Sequence, residues 1–367
     1  SGTSISPSGF TRDGNVIKGP LKDALAFLDY DGDGVKDADE PSVATDADGK
    51  YSLSGSAGNE NVSVVVLTDD STVDASTGAI LSGVVLTAPA AAKVVSLAST
   101  LVVKAQEADA NLTVAEATAK VQASLGLTGV SDLLDFNPYA AGVDATEAAK
   151  VEVASQQLGV VLTTLASAAE SAGLSGEDAI AASLAAVTTV VAGKGAGETV
   201  DLTDTSGTGD LAVIANAVKT TVATEAAKAG STVNSTAFEA MVDSTVTAVA
   251  NVNTKVATVT DLSAAGVADI FSVSQVLVTQ VSEAVTAEKA LAGSGASKVE
   301  LTDSTKVDAA ATNKAPTDID LVVGGSAVAE GAAITVSEGT GSLAIANIAV
   351  TDSDNGAAGF TYALAGD

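Results

Sequence analysis

The 367-residue chain contains neither cysteine nor histidine. It can therefore form no disulfide bond, and it has no thiolate or imidazole ligand for a transition metal. Acid–base chemistry that depends on histidine is excluded as well. Carboxylate and carbonyl oxygens remain, and calcium is the metal ion that this composition favours.

Aromatic residues are scarce, with six Phe, four Tyr and no Trp. Paired carboxylates are the one common catalytic arrangement that the composition permits. A carbohydrate cleft built around such a pair usually needs aromatic platforms, which this chain has few residues to supply. We therefore expect a protein that is not an enzyme.

Positive charge is also scarce, because 17 basic residues stand against 46 acidic ones and give a net charge of -29. This charge repels nucleic acid and anionic membrane surfaces, so neither is an expected partner. Uncharged stretches such as 75–92 and 153–169 are interrupted by polar residues and reach at most spanning length. The sequence therefore predicts no membrane insertion.

Residues 29–40 are the one stretch whose spacing specifies a chemistry, with the sequence Asp-Tyr-Asp-Gly-Asp-Gly-Val-Lys-Asp-Ala-Asp-Glu. Oxygen-bearing residues recur as in an EF-hand loop, and Gly34 stands where such a loop turns sharply. The predicted calcium ligands are Asp29, Asp31, Asp33, the Val35 carbonyl, Asp37 and Glu40. The alternative is an acidic, solvated turn.

The flanks of this loop predict strands rather than the helices of an EF-hand. Residues 24–28 form a short apolar run after Gly19-Pro20, and Ser-Val-Ala-Thr follows Pro41. We expect the loop to stabilise a β domain rather than to act as an EF-hand sensor, in which calcium moves two helices apart.

Residues 1–88 predict a β-sandwich, because short apolar runs alternate with turn clusters. Lys-Gly-Pro-Leu-Lys-Asp-Ala occupies 18–24 before the loop, and Thr-Asp-Ala-Asp-Gly-Lys-Tyr-Ser-Leu occupies 45–53 after it. This order resembles the prealbumin-like, B-type repeat domains of bacterial surface proteins, over about the first quarter of the chain. The resemblance implies an extracellular domain that calcium stabilises.

Residues 89–292 predict a helical bundle of roughly six helices. Thr113 and Asp144 each stand three residues before a Glu, as at a helix start. Val and Thr are abundant here and are mediocre helix formers, so packing must hold the helices together. Residues 133–139, Leu-Leu-Asp-Phe-Asn-Pro-Tyr, also look like a segment that follows calcium-loop domains in large secreted bacterial proteins.

Residues 293–315 are polar and irregular and predict a linker. Residues 316–367 then resemble the opening half of a cadherin-like repeat, through Val-Ser-Glu at 336–338 and Val-Thr-Asp-Ser-Asp at 350–354. That resemblance implies weaker calcium ligands at Glu338, Asp352 and Asp354. The alternative is a plain hairpin with acidic turns.

These features together predict a multidomain α+β protein with an N-terminal β-sandwich, a central helical bundle and a C-terminal partial sandwich. The predicted function is that of a structural or adhesive protein on a bacterial cell surface, which associates with itself into a polymer or array. One route is addition of the Ser1–Asp13 segment to the half-domain of a neighbouring copy. The alternative is an extracellular module that binds other cell-surface proteins or glycans.

Overall fold

The computed structural model describes residues 9–312, 318–323, 326–327 and 347–351. The chain divides into two units, Ser1–Ala311 and Thr312–Asp367. The first unit contains both strands and helices, which confirms the α+β class.

Ten strands lie in the described part of the first unit. They are β1 Phe10–Ile17, β2 Leu21–Lys22, β3 Leu25–Leu28, β4 Ser42–Ala44, β5 Lys50–Gly55, β6 Val64–Leu67, β7 Val73–Asp74, β8 Ala79–Ile80, β9 Val85–Ala88 and β10 Val94–Ser96. One sheet has the order β10-β1-β5, a second β4-β3-β6-β9 and a third β2-β7-β8. Alternate residues of β5 are buried, as a strand with one covered face requires.

Eight α-helices follow in the described residues. They are α1 Leu97–Ala108, α2 Val114–Ser124, α3 Ala145–Ala172, α4 Gly176–Gly193, α5 Asp210–Ala226, α6 Ser235–Val256, α7 Val267–Ala290 and α8 Ser304–Thr312. The predicted starts at Thr113 and Asp144 are confirmed, since each side chain accepts a backbone N–H of the first turn. The reciprocal bond from Glu116 completes a capping box at Thr113.

Among the described helices, α4 has the length and hydropathy of a membrane span. Its residues Val187, Val190 and Val191 are buried inside the first unit. A core helix passes the same test of length and hydropathy, so this single helix is weak evidence for a membrane segment.

The predicted boundary at residue 88 does not separate two compact units. Strand β10 lies within the region predicted as a helical bundle, and it pairs in parallel with β1. The buried core is also continuous, because Leu53 on β5 and Leu162 on α3 belong to the same cluster. The strands and helices therefore share one core, which local sequence patterns did not reveal.

The segment predicted as a linker is folded as far as Thr312. It forms two short 3-10 turns, Ala296–Lys298 and Glu300–Thr302, followed by α8. Val299, Leu301 and Val307 are buried, so this segment packs against the helices despite its polar composition. The division of the chain falls after Ala311.

The described part of the second unit is a small antiparallel sheet. Its strands are β11 Asp318–Val323, β12 Ser326–Ala327 and β13 Asn347–Thr351, with β11 in the centre. The strand character predicted for residues 316–367 is confirmed in these segments. The weaker calcium ligands predicted at Glu338, Asp352 and Asp354 lie outside the described residues.

A polar cluster is buried where the strands meet α3. Glu152 on α3 is fully buried and accepts the Gly19 N–H at 2.6 Å and the Gln156 amide at 2.7 Å. Burial raises the pKa of Glu152 to about 7, and the negative charge of Asp74 adds to this effect. The hydrogen bonds and the Lys18 charge act in the opposite direction.

We expect Glu152 to make the stability of the first unit fall as the pH rises from 4.5 to about 7. In this window the folded state holds a proton on Glu152 that the unfolded chain, with its pKa near 4.5, has released. Glu152 therefore contributes about 3 kcal/mol to the free energy of unfolding below pH 4.5, and this contribution is lost as the pH rises through 7. Urea unfolding at a series of pH values measures the slope.

Glu152→Gln should flatten the slope in this window because the amide does not titrate. Glu170→Gln, at an exposed position of the same helix, is the control and should keep the slope of the unmodified protein. Equal slopes in all three proteins would contradict the assignment.

Candidate metal centre

The acidic loop connects two paired strands. Strand β3 leads into residue 29 and β4 follows residue 41, with Leu25 opposite Ala44 and Phe27 opposite Ser42. Further backbone bonds join Leu28 N–H to the Pro41 carbonyl and Asp29 N–H to the Ser63 carbonyl, each at 3.2 Å. The predicted strand flanks are confirmed, and both ends of the loop are tied to the sheet.

Three carboxylates converge inside this loop. Asp29, Asp31 and Glu40 each offer one oxygen, and these oxygens all lie within 4.8 Å of one another. Asp29 and Glu40 are buried, with 5% and 4% exposure, while Asp31 is exposed. In the part of the chain that the structure describes, no other set of three acidic side chains is brought together in this way.

Backbone N–H groups hold the two buried carboxylates in position. Glu40 accepts Tyr30 N–H at 2.6 Å on one oxygen and Asp37 N–H at 2.9 Å on the other. Asp29 accepts Gly32 N–H at 2.8 Å and Gly34 N–H at 3.0 Å. A carboxylate oxygen has a second lone pair, so these bonds orient the groups and leave capacity for a cation.

The remaining predicted ligands do not belong to this group of three neighbouring carboxylates. Asp33 is exposed and accepts Val35 N–H at 2.7 Å, which turns the chain locally. Asp37 is also exposed, and the Val35 side chain is 58% exposed. Three of the five predicted carboxylates are thus brought together, and a role for Asp33, Asp37 and the Val35 carbonyl stays a prediction.

The electrostatics of the loop disfavour its full negative charge. Burial raises the pKa of Asp29, the Gly34 and Gly32 N–H groups lower it, and the charges of Glu40 and Asp31 raise it further. Partial desolvation and the neighbouring carboxylates, Asp31 first among them, raise the pKa of Asp37. A bound cation would reverse these effects, since it favours the charged form of each carboxylate.

An open cleft of about 990 Å³ lies beside the loop. Asp29 and Asp33 are among its lining residues, together with apolar residues of the sheet and of α4 such as Leu67, Val85 and Ile180. Sequence reasoning missed this cleft, because its lining comes from β6, β9 and several helices that are distant from one another in sequence.

The polar cluster around Glu152 was also missed. Its members lie just after β1, on β7 and on α3, so they are distant in sequence and no local spacing relates them. The one available signal is that Glu152 follows Ala148 by four residues on the face of α3 that is buried.

Comparison of the chain with protein-family models, with curated proteins and with solved structures found no match. Function must therefore be inferred from the chain's own residues and geometry.

Gly34 should be needed for the shape of the loop, because its φ angle is +77°. A Cβ at this position would meet no atom within 4 Å, so Gly34→Ala should cost only the backbone strain of about 1 kcal/mol. At Gly49 the φ angle is also positive, but a Cβ would lie 2.5 Å from the Val16 carbonyl oxygen. Urea unfolding should therefore show a clearly larger loss for Gly49→Ala, and an equal loss would contradict this geometry.

Proposed function

We propose that residues 29–40 bind calcium and that the chain is a calcium-stabilised building block of a bacterial cell-surface structure. The observation that carries this proposal is the convergence of Asp29, Asp31 and Glu40 between two paired strands. Three negative charges at this separation repel one another strongly unless a cation lies between them.

Calcium fits this set of ligands better than magnesium does. Calcium accepts six to eight oxygens in a flexible geometry, with carboxylates, a backbone carbonyl and a bidentate Glu at the twelfth position of the loop. Magnesium requires a strict octahedron and usually keeps several waters. In our proposal Asp33, Asp37 and the Val35 carbonyl join the three converged carboxylates when calcium is bound.

Calcium at this position would have a structural role. The ligands lie at the exit of β3 and the entry of β4, and Asp29 is bonded to Ser63 just before β6. A cation held by the loop therefore fixes the end of a four-stranded sheet. Binding to the folded state alone stabilises that state by mass action.

The wider proposal is a non-enzymatic, extracellular, structural or adhesive protein. It is supported by the net charge of -29, the absence of His and Cys, and the division of the chain into two units. We propose a sandwich for the strands of the first unit, a bundle for its helices and a partial cadherin-like sandwich for the second unit. Calcium then stiffens an element of a fibre, a layer or a large adhesin.

If the chain associates with itself through an N-terminal arm, that arm must be shorter than the predicted Ser1–Asp13 segment. Phe10–Asp13 pair with Ser52–Gly55 of the same chain as part of β1. These residues already have a partner strand, so the proposed arm is limited to residues 1–8, which contain Ile5. Such head-to-tail addition does not close on itself and would build a filament.

The open cleft supports a second candidate function. Its volume of about 990 Å³ and its mixed apolar and polar lining suit an extracellular module that binds a carbohydrate or a protein segment. The loop residues Asp29 and Asp33, which also line the cleft, would then couple calcium to ligand binding.

Calcium should raise the melting temperature of the full chain, and a chelator should remove the effect. At about 100 times its dissociation constant, a ligand of the folded state adds about 2.7 kcal/mol. Glu40→Gln should abolish most of this gain, because it removes one of the three converged carboxylates. Calorimetry with calcium and with chelator measures both effects.

The matched control is Glu60→Gln. Glu60 also accepts a backbone N–H, that of Gly58 at 3.0 Å, but it lies outside the loop. This variant should keep the full calcium-dependent shift. If calcium does not change the melting temperature of the unmodified protein, the calcium site is refuted.

Self-association should be visible by electron microscopy as fibres or sheets in the presence of calcium. Deletion of residues 1–8 should abolish them without changing the melting temperature, because β1 begins at Phe10. If the full chain stays monomeric at every concentration with calcium present, the polymer proposal is wrong. If the deletion variant polymerises as well, the arm is not the contact.

A further inference from the structure

The open cleft has a negatively charged lining. Glu107 on α1, Glu170 on α3, Glu177 on α4 and Asp70 after β6 all line it, and all four residues are exposed. Among the described lining residues Lys104 is the one base, and its Nζ donates to Glu107 Oε2 at 2.7 Å. The carboxylates of the cleft therefore outnumber its positive charges, and a cationic ligand is attracted to it.

The same cleft exposes large apolar side chains. Ile80 is 53% exposed and Val85 is 41% exposed, and both residues line the cleft. Leu67 and Ile180 are only partly buried and line it as well. Exposed apolar surface that is gathered in one place, with polar groups beside it, is typical of a binding site. The ligand should therefore carry apolar groups in addition to positive charge.

The lining favours a peptide over a sugar. Among the described residues that line the cleft, none is aromatic. A sugar-binding cleft usually offers aromatic rings as flat apolar faces with a polar edge. Aliphatic side chains such as Leu67, Val85 and Ile180 are better suited to contact the aliphatic side chains of a protein segment.

Strand β9 has a free edge at the cleft. It is the outermost strand in the sheet order β4-β3-β6-β9. Thr87 donates its N–H to Thr100 Oγ1 at 3.0 Å, and its carbonyl accepts the Ser99 hydroxyl at 2.7 Å, so α1 covers this edge at Thr87. Val85 lies two residues earlier and directs its N–H and carbonyl to the same side, because these groups alternate along an antiparallel strand. An extended segment can therefore pair with β9 at Val85.

We propose that the cleft binds an extended, basic segment of another protein, in which Lys or Arg alternates with apolar residues. Successive side chains of an extended segment point to opposite sides. One set of its side chains contacts Val85 and Ile180, and the other set brings positive charge to Glu170 and Glu177. This inference rests on the second candidate function, a ligand-binding cleft, and it names the class of ligand.

This sequence does not supply such a segment itself. Its 17 basic residues are dispersed, and the two nearest in sequence, Lys18 and Lys22, are four positions apart. Outside the described ranges the sequence contains one basic residue, Lys314. A second copy carries a net charge of -29 as well, so the cleft carboxylates repel it. The ligand is therefore a different protein, and this contact is separate from the self-association proposed above.

Charge and apolar contact should respond differently to salt. Attraction between exposed charges is small for each pair and is screened as the salt concentration rises. Burial of apolar side chains is not screened in this way. A ligand that uses both should lose only part of its affinity at physiological salt, whereas a ligand that uses charge alone should lose most of it.

Fluorescence polarisation with labelled octapeptides and the full chain tests the inference. A peptide of alternating Lys and Val should bind, and a peptide of alternating Glu and Val should not. A peptide of Lys alone should lose most of its binding at physiological salt. If the Lys-Val peptide does not bind, or binds no better than the Glu-Val peptide, the inference is overturned.

The order of the residues in the probe tests the extended conformation. A peptide of the same composition with all its Lys residues before all its Val residues has the same charge and the same apolar area. It cannot place the two kinds of side chain on opposite sides of an extended chain, so it should bind more weakly. Equal affinities would overturn pairing of an extended segment with β9.

Two double variants show whether the attraction is local. Glu170→Gln with Glu177→Gln removes two cleft carboxylates and should weaken Lys-Val binding about fivefold. The control is Asp243→Asn with Glu283→Gln, which changes the net charge equally at exposed positions outside the lining and should keep the affinity. Equal losses in both would mean that net charge alone attracts the peptide, and this would overturn the site.

A matched pair of variants tests the apolar contact. Ile180→Ser should weaken Lys-Val binding about tenfold, because it removes apolar area that the peptide covers. The control is Val213→Ser, at a position on α5 that is 48% exposed and outside the lining. Circular dichroism checks that both variants are folded. An unchanged affinity in folded Ile180→Ser would overturn the apolar contact.

A blocking variant separates this inference from the cleft function on which it rests. Ala181 is exposed and lines the cleft, so Ala181→Phe should fill part of it and abolish Lys-Val binding. If the variant binds the Lys-Val peptide as well as the unmodified protein does, the peptide binds elsewhere and both proposals are wrong. If a neutral dextran or the Glu-Val peptide binds instead, and Ala181→Phe abolishes that binding, the cleft function stands and the basic segment is wrong.

Discussion

The contact between the strands and helix α3 is the constraint on which the first unit depends. Glu152 is fully buried there, and it accepts the backbone N–H of Gly19, two residues after β1 ends. A charged or polar group in such a place is costly unless its partners are present, so strands and helix must form together. The acidic loop and the open cleft both belong to this first unit.

Local features of the fold could be predicted from the sequence, and long-range ones could not. Thr113 and Asp144 begin helices because side-chain caps act within one turn, and the strands beside the acidic loop follow from short apolar runs. The shared core escaped prediction because β10 pairs with β1 across nearly the whole strand region. A Glu on a helix indicates a solvated face when only the residue type is considered, yet Glu152 is buried.

The convergence of three carboxylates in the acidic loop follows more directly from the sequence than the fold around the loop does. The spacing of Asp29, Asp31 and Glu40 is a local property of twelve residues, and their convergence follows from the turn that Gly34 allows. The positions of Asp33 and Asp37 depend on more than spacing, because like charges push exposed carboxylates outward.

The parallel pairing of β1 with β10 has a mechanical consequence. The register places Asn15, Val16 and Ile17 opposite Val94, Val95 and Ser96. Tension that pulls β1 from its start and β10 from its end draws two parallel strands past each other lengthwise. The hydrogen bonds between the two strands then bear the load together rather than breaking one by one. The connection between the strands and α1 should therefore resist stretching.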